Sequence, residues 1–278
     1  MSQNHSLSVL MIGNSFSMDT MAYAADIALS AGVKEVYFGN LHIGGCSLSY
    51  HATNAQQNSP NYQYFVNKNG KWNKAAVQFP PPPGDTSLAT ALHSHSWDYV
   101  CLQQVSGSSG DADSYNDDLS YMIDYVQTHA PGAKLVWNMT WAYQQDSNHP
   151  DFARYNNDQT TMYNAIVSAV QQKICPNDVF VHVIPAGTAV QNSRTSVLGD
   201  TITLDGFHMS RPYGRYLVGL MLVKTLTGRP IDNVTFRPRG VTAKQRLIAI
   251  ESVNNAFATP FAVTDSAYPT AASLKAAK

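Results

Sequence analysis

Residues 7–17 read LSVLMIGNSFS, and the reading of this stretch decides the fold. Leu7–Ile12 is a short, almost wholly apolar run that stops at Gly13. Met21, Ala24, Ala25, Ala28 and Leu29 then recur at helical spacing over residues 18–31. A strand, a tight turn and a helix follow from that change of period. Ligands of open parallel α/β sheets bind beyond the carboxyl ends of the strands. Ser15, on a turn between strand and helix, is therefore either a candidate nucleophile or a plain helix cap.

The same alternation continues outward. Apolar runs at Val36–Ile43, Tyr99–Leu102, Lys134–Met139 and Val179–Ile184 predict four more strands. Helical patterns cover residues 119–130, 151–174, 212–228 and 241–257. The order predicts a three-layer, flavodoxin-like α/β fold with about five parallel strands and helices on both faces. Residues 46–97 interrupt it and are expected to form an insertion over the sheet edge, within a single domain. Inside that insertion, Asn69-Gly70 between two aromatic-rich runs signals a hairpin, and Pro80–Pro83 a stiff connector.

Composition excludes several classes. Apolar residues make up 44% of the 278 residues and charged residues 13%, with a net charge of -1, so nucleic acid is not an expected partner. The only two glutamates, Glu35 and Glu251, lie where helix-surface charges would, which argues against a Glu–Glu glycosidase pair. Cys46, Cys101 and Cys175 form no C-x-x-C pair, and His93-Ser-His95 lacks a nearby third ligand, so neither a metal nor a cofactor is expected. No run of 18 apolar residues predicts a membrane span. The N-terminal run lacks a basic leader, so the expected compartment is cytoplasmic, or secreted if a leader has been removed.

A serine nucleophile needs a base, and the base a partner that fixes its tautomer. Two D-x-x-H stretches offer both: Asp146-Ser-Asn-His149 and Asp205-Gly-Phe-His208. His208 follows the last strand in a glycine-containing loop that can turn back over the sheet edge. His149 follows the fourth strand and can line the same cleft. The remaining polar residues at predicted strand ends are Asn14, Gly44-Gly45, Gln103-Gln104 and Ser106. Trp141 offers an aromatic face to a substrate, and Asn192 and Arg194 follow the fifth strand. No G-x-S-x-G elbow occurs, which argues against a standard α/β-hydrolase.

The strings GNSFS, IGGCSL, WDYVCLQQVS, NMTWAY, IPAGTAVQNSR and DGFHMS together resemble the SGNH (GDSL-like) hydrolase superfamily, in a branch neighbouring the carbohydrate acetylesterases. The resemblance covers about residues 7–225. It implies Ser15 as nucleophile, His208 as base, Asp205 as the acid that orients it, and Gly45 as an oxyanion-hole glycine. The usual Gly-x-Asn-Asp block is missing, and Leu102-Gln103-Gln104-Val105-Ser106 stands in its place. The resemblance favours Gln103 as the third oxyanion donor, with Gln104 and Ser106 as alternatives. The implied activity is a serine esterase, acting on an acetylated carbohydrate. Another ester class, lipid or thioester, is one alternative. A non-catalytic carbohydrate-binding protein on the same scaffold is the other.

Overall fold

Near-continuous apolar runs are what a strand needs when helices cover both its faces. In β1 (Ser6–Gly13) every residue after Ser6 is buried. Val9, Leu10, Met11 and Ile12 have no exposed surface, and burying each such side chain contributes about 1.5–3 kcal/mol. The computed structural model describes residues 6–73 and 83–269. Its other strands are β2 (Glu35–His42), β3 (Gln63–Lys68), β4 (Lys71–Trp72), β5 (Tyr99–Leu102), β6 (Lys134–Asn138) and β7 (Phe180–Ile184). They form one sheet in the order β4-β3-β2-β1-β5-β6-β7.

The five strands β2-β1-β5-β6-β7 are parallel, as the sequence pattern predicts. The sheet has seven strands rather than about five because the Asn69-Gly70 hairpin joins it instead of lying over its edge. Asn69 and Gly70 both have positive φ, 51° and 82°, the conformation of a two-residue hairpin turn. The hairpin strand β3 then pairs antiparallel with β2. The predicted connector at Pro80–Pro83 lies outside the described residues except for Pro83.

The helices are α1 (Ser15–Met21), α2 (Ala24–Ser30), α3 (Leu48–Gln56), α4 (Leu88–His93), α5 (Asn116–His129), α6 (Gln159–Lys173), α7 (Ala186–Arg194), α8 (Tyr213–Thr227) and α9 (Ala243–Ala258). α1, α2, α7, α8 and α9 pack together in one layer, and α3, α4 and α5 in another. Two predicted helices are broken. The 18–31 pattern divides into α1 and α2. The 151–174 pattern divides into a 3-10 turn at Pro150–Tyr155 and α6. Asn156 and Asn157 take left-handed φ of 58° and 51° between these two pieces, and Asp158 restarts the helix by capping Thr161 N–H. Among the described residues no helix is long and apolar enough to cross a membrane.

Strand order in the parallel sheet reverses between β1 and β5: β2 is added on one side of β1, and β5, β6 and β7 on the other. The carboxyl ends of these two strands are therefore where a crevice is expected. Ser15 follows one and Gln103 the other.

Candidate active site

The loop that carries Asp205 and His208 returns from beyond β7 to the end of β1. His208 Nε2 lies 2.8 Å from Ser15 Oγ, and His208 Nδ1 lies 2.7 Å from Asp205 Oδ2. Asp205 Oδ1 accepts from the N–H groups of His208 at 2.9 Å and Phe207 at 3.3 Å. Partial burial works against the Asp205 charge, but the hydrogen bonds from His208 outweigh it and hold the carboxyl below its ordinary range. An ionised Asp205 accepts a hydrogen bond from Nδ1–H in the tautomer whose Nε2 accepts from the Ser15 hydroxyl.

Several contacts fix this line. Asp19, one turn beyond Ser15 in α1, is 1% exposed. Its Oδ2 accepts from Met209 N–H at 2.8 Å and its Oδ1 pairs with Arg215 Nε at 2.8 Å. Burial raises the Asp19 pKa against the pull of Arg215. Asp19 thereby ties the helix that begins at Ser15 to the loop that carries His208. Phe207 packs against the His208 ring with centroids 4.2 Å apart. A salt bridge between Arg194 Nε and Asp200 Oδ1 at 2.7 Å, with Gln145 N–H on Asp200 Oδ2, joins the loop after β6 to the segment leading to Asp205.

The second glycine loop follows β2. Cys46 N–H donates to Ile43 O at 3.2 Å, closing a four-residue turn with Gly44 and Gly45 at its corners. Gly45 has φ +63° while Gly44 does not take positive φ, the signature of a type II turn. A Cβ added at either glycine would meet nothing within 4 Å. Ser15 N–H opens α1, where the first amides have no partner within the helix. Cys46 is no rival nucleophile. Burial pushes its thiol up to about 12, and burial likewise pushes the adjacent His51 down to about 3.

The structure corrects most of the expected substrate contacts, for one shared reason: the side chains are buried and already paired. Asn14 is 2% exposed. Its Oδ1 caps Phe16 N–H and its Nδ2 donates to Cys46 O at 3.0 Å. Gln103 is 2% exposed; its Nε2 donates to Asn14 Oδ1 at 3.0 Å and its Oε1 accepts from Asn138 Nδ2 at 3.2 Å. Gln104 Oε1 accepts from Leu48 N–H and its Nε2 donates to Ser114 O. Ser106 Oγ bonds the Tyr143 hydroxyl. Trp141 is fully buried, stacked on Phe16 at 4.2 Å with its indole N–H on Phe207 O. Asn192 holds Ser252 O and Thr264 N–H. Besides Asp200, Arg194 holds Ala142 O and Gln191.

His149 stays near the site, its ring 4.7 Å from Phe207, but its hydrogen-bond partner is not the Asp146 carboxylate. Its Nδ1 accepts from Asp151 N–H instead, and Asp146 accepts from Gln144 Nε2. Asp19, Asn138, Phe207 and Arg215 were missed from the sequence. A polar residue ending an apolar strand was available as a signal for Asn138, and an aspartate one turn after the serine for Asp19. Beside the Asp205 carboxyl lies a cavity of about 410 Å³ lined by Gln144, Asp146, Ser147, Thr201, Thr203 and Leu204 among others. Most of its wall is polar.

A family model described as "Domain of unknown function (DUF4886)" matches residues 8–256. The chain is similar to a DUF4886 family protein from Bacteroides uniformis, at 33% identity over 95% of this chain and 100% of that one, with a TM-score of 0.88. It is also similar to a provisionally assigned SGNH hydrolase from Slackia heliotrinireducens, at 20% identity over 80% and 99% of the two chains, with a TM-score of 0.47. A provisionally assigned GDSL-like lipase from Parabacteroides merdae shares 11% identity over 80% and 95%, with a TM-score of 0.52. No curated protein matches. The last likeness is one of fold alone, and the expected three-layer α/β architecture is the one shared. With a family model over most of its length and a relative one-third identical, the chain belongs to the DUF4886 family.

Proposed function

We propose that this chain is a serine esterase that removes O-acetyl groups from a carbohydrate. The observation that carries the reading is the unbroken line Asp205–His208–Ser15, at 2.7 and 2.8 Å. A serine hydroxyl acting only as a helix cap needs no histidine, and here Asn14, not Ser15, is the cap. His208 Nε2 takes the Ser15 proton as Oγ attacks the ester carbonyl carbon. The carbonyl oxygen becomes an oxyanion, received by the N–H groups of Ser15 and Gly45. The protonated His208 passes its proton to the departing alcohol as the carbon–oxygen bond breaks. Water then repeats the sequence on the acetyl-enzyme, releasing acetate and restoring Ser15. Asp205 orients the ring and offsets its charge while it is protonated.

The carbohydrate as the alcohol side is carried by the resemblance to the acetylesterases, and the polar cavity nearby borders the triad at Asp205, not at Ser15 or His208. Amide, hydroxyl and carboxylate groups line that cavity, with Leu204 as the large apolar side chain. Such a wall suits a polyhydroxylated alcohol better than an acyl chain or a lipid. The test is turnover of p-nitrophenyl acetate and of acetylated xylo- and manno-oligosaccharides by wild type and Ser15→Ala. Acetate release by wild type, its loss in the variant, and labelling of Ser15 by a serine-directed phosphonate are expected. Equal turnover by both proteins would exclude Ser15 as nucleophile. Turnover of the aryl acetate but of no acetylated sugar would remove the carbohydrate.

A further inference from the structure

We infer that the adjacent glutamines Gln103 and Gln104 are positioning residues that brace the Gly44-Gly45 turn from two sides, so that the Gly45 N–H is held in place before a substrate arrives. The inference rests on the esterase reading, since it assigns that N–H to the oxyanion. It differs from the role the sequence suggested for Gln103, which was to meet the oxyanion itself.

The two side chains leave the end of β5 toward different partners, as the alternation of a strand dictates. They nevertheless converge on one segment. Gln103 acts through Asn14: its Nε2 donates to Asn14 Oδ1 at 3.0 Å, and Asn14 Nδ2 donates to Cys46 O at 3.0 Å. Asn138 Nδ2 holds the far end of the relay by donating to Gln103 Oε1 at 3.2 Å. The relay therefore links the ends of β6, β5 and β1 to the residue that closes the turn after β2. Gln104 acts directly: its Oε1 accepts from Leu48 N–H at 2.9 Å, two residues beyond Cys46, and its Nε2 is fixed by Ser114 O and Oγ.

Burial makes these bonds matter. Asn14, Gln103 and Gln104 are each 2% exposed and Asn138 is wholly buried. Water cannot replace a lost partner there, so each orientation is strongly specified. The turn itself is exposed, and its own hydrogen bonds are few: Cys46 N–H to Ile43 O at 3.2 Å and Ile43 N–H to Gly13 O at 3.3 Å. Two flexible glycines with two long hydrogen bonds would sample many orientations. Pinning Cys46 O and Leu48 N–H removes that freedom. Donors fixed in advance cost no reorganisation when charge develops, and this is the condition under which an oxyanion hole accelerates a reaction.

The experiment compares Gln103→Leu, Asn138→Ala and their double variant with wild type and Ser15→Ala, on p-nitrophenyl acetate. Gln103→Leu is expected to lower kcat by about 10- to 100-fold, less than the roughly 10²–10³ of a donor removed outright, with KM changed less than threefold. Because the relay acts as a unit, the double variant should be no more than about threefold slower than Gln103→Leu alone. Gln103→Glu supplies a second reading. Burial favours its neutral form, which donates to Asn14 as the amide does. Its kcat relative to wild type should therefore fall as pH rises and the carboxyl ionises. Unchanged kcat in a folded Gln103→Leu protein, or full multiplication of the two single losses, overturns the brace while leaving the esterase intact. If Gln103→Leu does not fold, a pH-independent kcat ratio for Gln103→Glu overturns it. Wild-type turnover equal to that of Ser15→Ala removes the esterase reading and the brace with it.

Discussion

Gly44 and Gly45 provide a matched pair for testing the oxyanion assignment, because alanine differs in only one respect at the two positions. A Cβ at either meets no atom within 4 Å, so sterics do not separate them. Conformation does: Gly45 has φ +63° and Gly44 does not take positive φ. Holding alanine in the left-handed region costs about 1–2 kcal/mol. Gly45→Ala can accept this strain, or it can relieve it by a shift from type II toward type I, which reverses φ at the third turn residue. The peptide that rotates in that shift is the one between Gly44 and Gly45, and its N–H is the proposed donor. A rotated donor is a lost donor, worth about 10²–10³ in kcat. Gly45→Ala should therefore lose kcat by up to that factor on p-nitrophenyl acetate. Its thermal midpoint should fall by a few degrees, at about 2–4 °C per kcal/mol. Gly44→Ala should stay within about 0.5 kcal/mol of wild type, as an unstrained surface change does, and near its kcat. If the two variants have the same kcat and Gly45→Ala also keeps the wild-type thermal midpoint, so that the strain has been relieved with no loss of activity, the Gly45 N–H is not an oxyanion donor. If both lose activity equally through KM, the turn acts on substrate binding instead.

The two D-x-x-H motifs should separate cleanly in the same assay. His208→Ala should lower kcat by several orders of magnitude and His149→Ala should change it little, and the reverse result would transfer the base to His149. Asp205→Ala should cost less than either Ser15→Ala or His208→Ala, because the orienting acid of a triad is worth less than the groups that move the proton; a loss as large as that of Ser15→Ala would contradict the role given to it. The lowered Asp205 pKa carries a sign as well. Its contribution is present above the ordinary carboxylate range and is lost only as pH falls through the lower folded value, so the acid limb of kcat/KM in wild type should not be set by Asp205. Asp205→Asn should accordingly reduce kcat/KM and leave an acid limb in place; loss of that limb in the variant would contradict the argument.

The parallel sheet was legible because burial on both faces leaves a plain trace: short apolar runs such as Leu7–Ile12 and Tyr99–Leu102, each ended by a polar or glycine residue. The hairpin was legible from Asn69-Gly70. Where it would go was not, because nothing local in β3 says that its pairing groups meet β2 rather than solvent; that depends on the register Gly39↔Val66 and its neighbours. The helix breaks were missed for a related reason. Asn156-Asn157-Asp158 reads as polar helix surface, yet the two asparagines take left-handed φ and Gln145 holds the turn through Asn157 O and Gln159 N–H. Helical periodicity reports which face is buried and says little about where a single residue leaves the helix.

The site divides along a different line. Ser15, Asp205 and His208 have polar atoms that meet one another across the chain, and a short list of residue types can do that. Asn14, Gln103, Gln104, Ser106, Asn192 and Arg194 have the right chemistry at the right strand ends, yet each is at most 8% exposed. A strand end presents polar atoms in two directions, outward to a ligand and inward to the neighbouring loops, and residue type does not choose between them. The number of loops to be held does bear on the choice. Five parallel strands deliver five loops to one edge, and each loop has backbone groups that burial leaves without water. Asn14 satisfies Phe16 N–H and Cys46 O, Gln104 satisfies Leu48 N–H, and Arg194 satisfies Ala142 O. Most polar residues at such an edge are therefore required by the scaffold. Ser15, His208 and the two glycines of the turn are among those that remain accessible after those bonds are made, and they are the groups to which the proposed reaction assigns the ester.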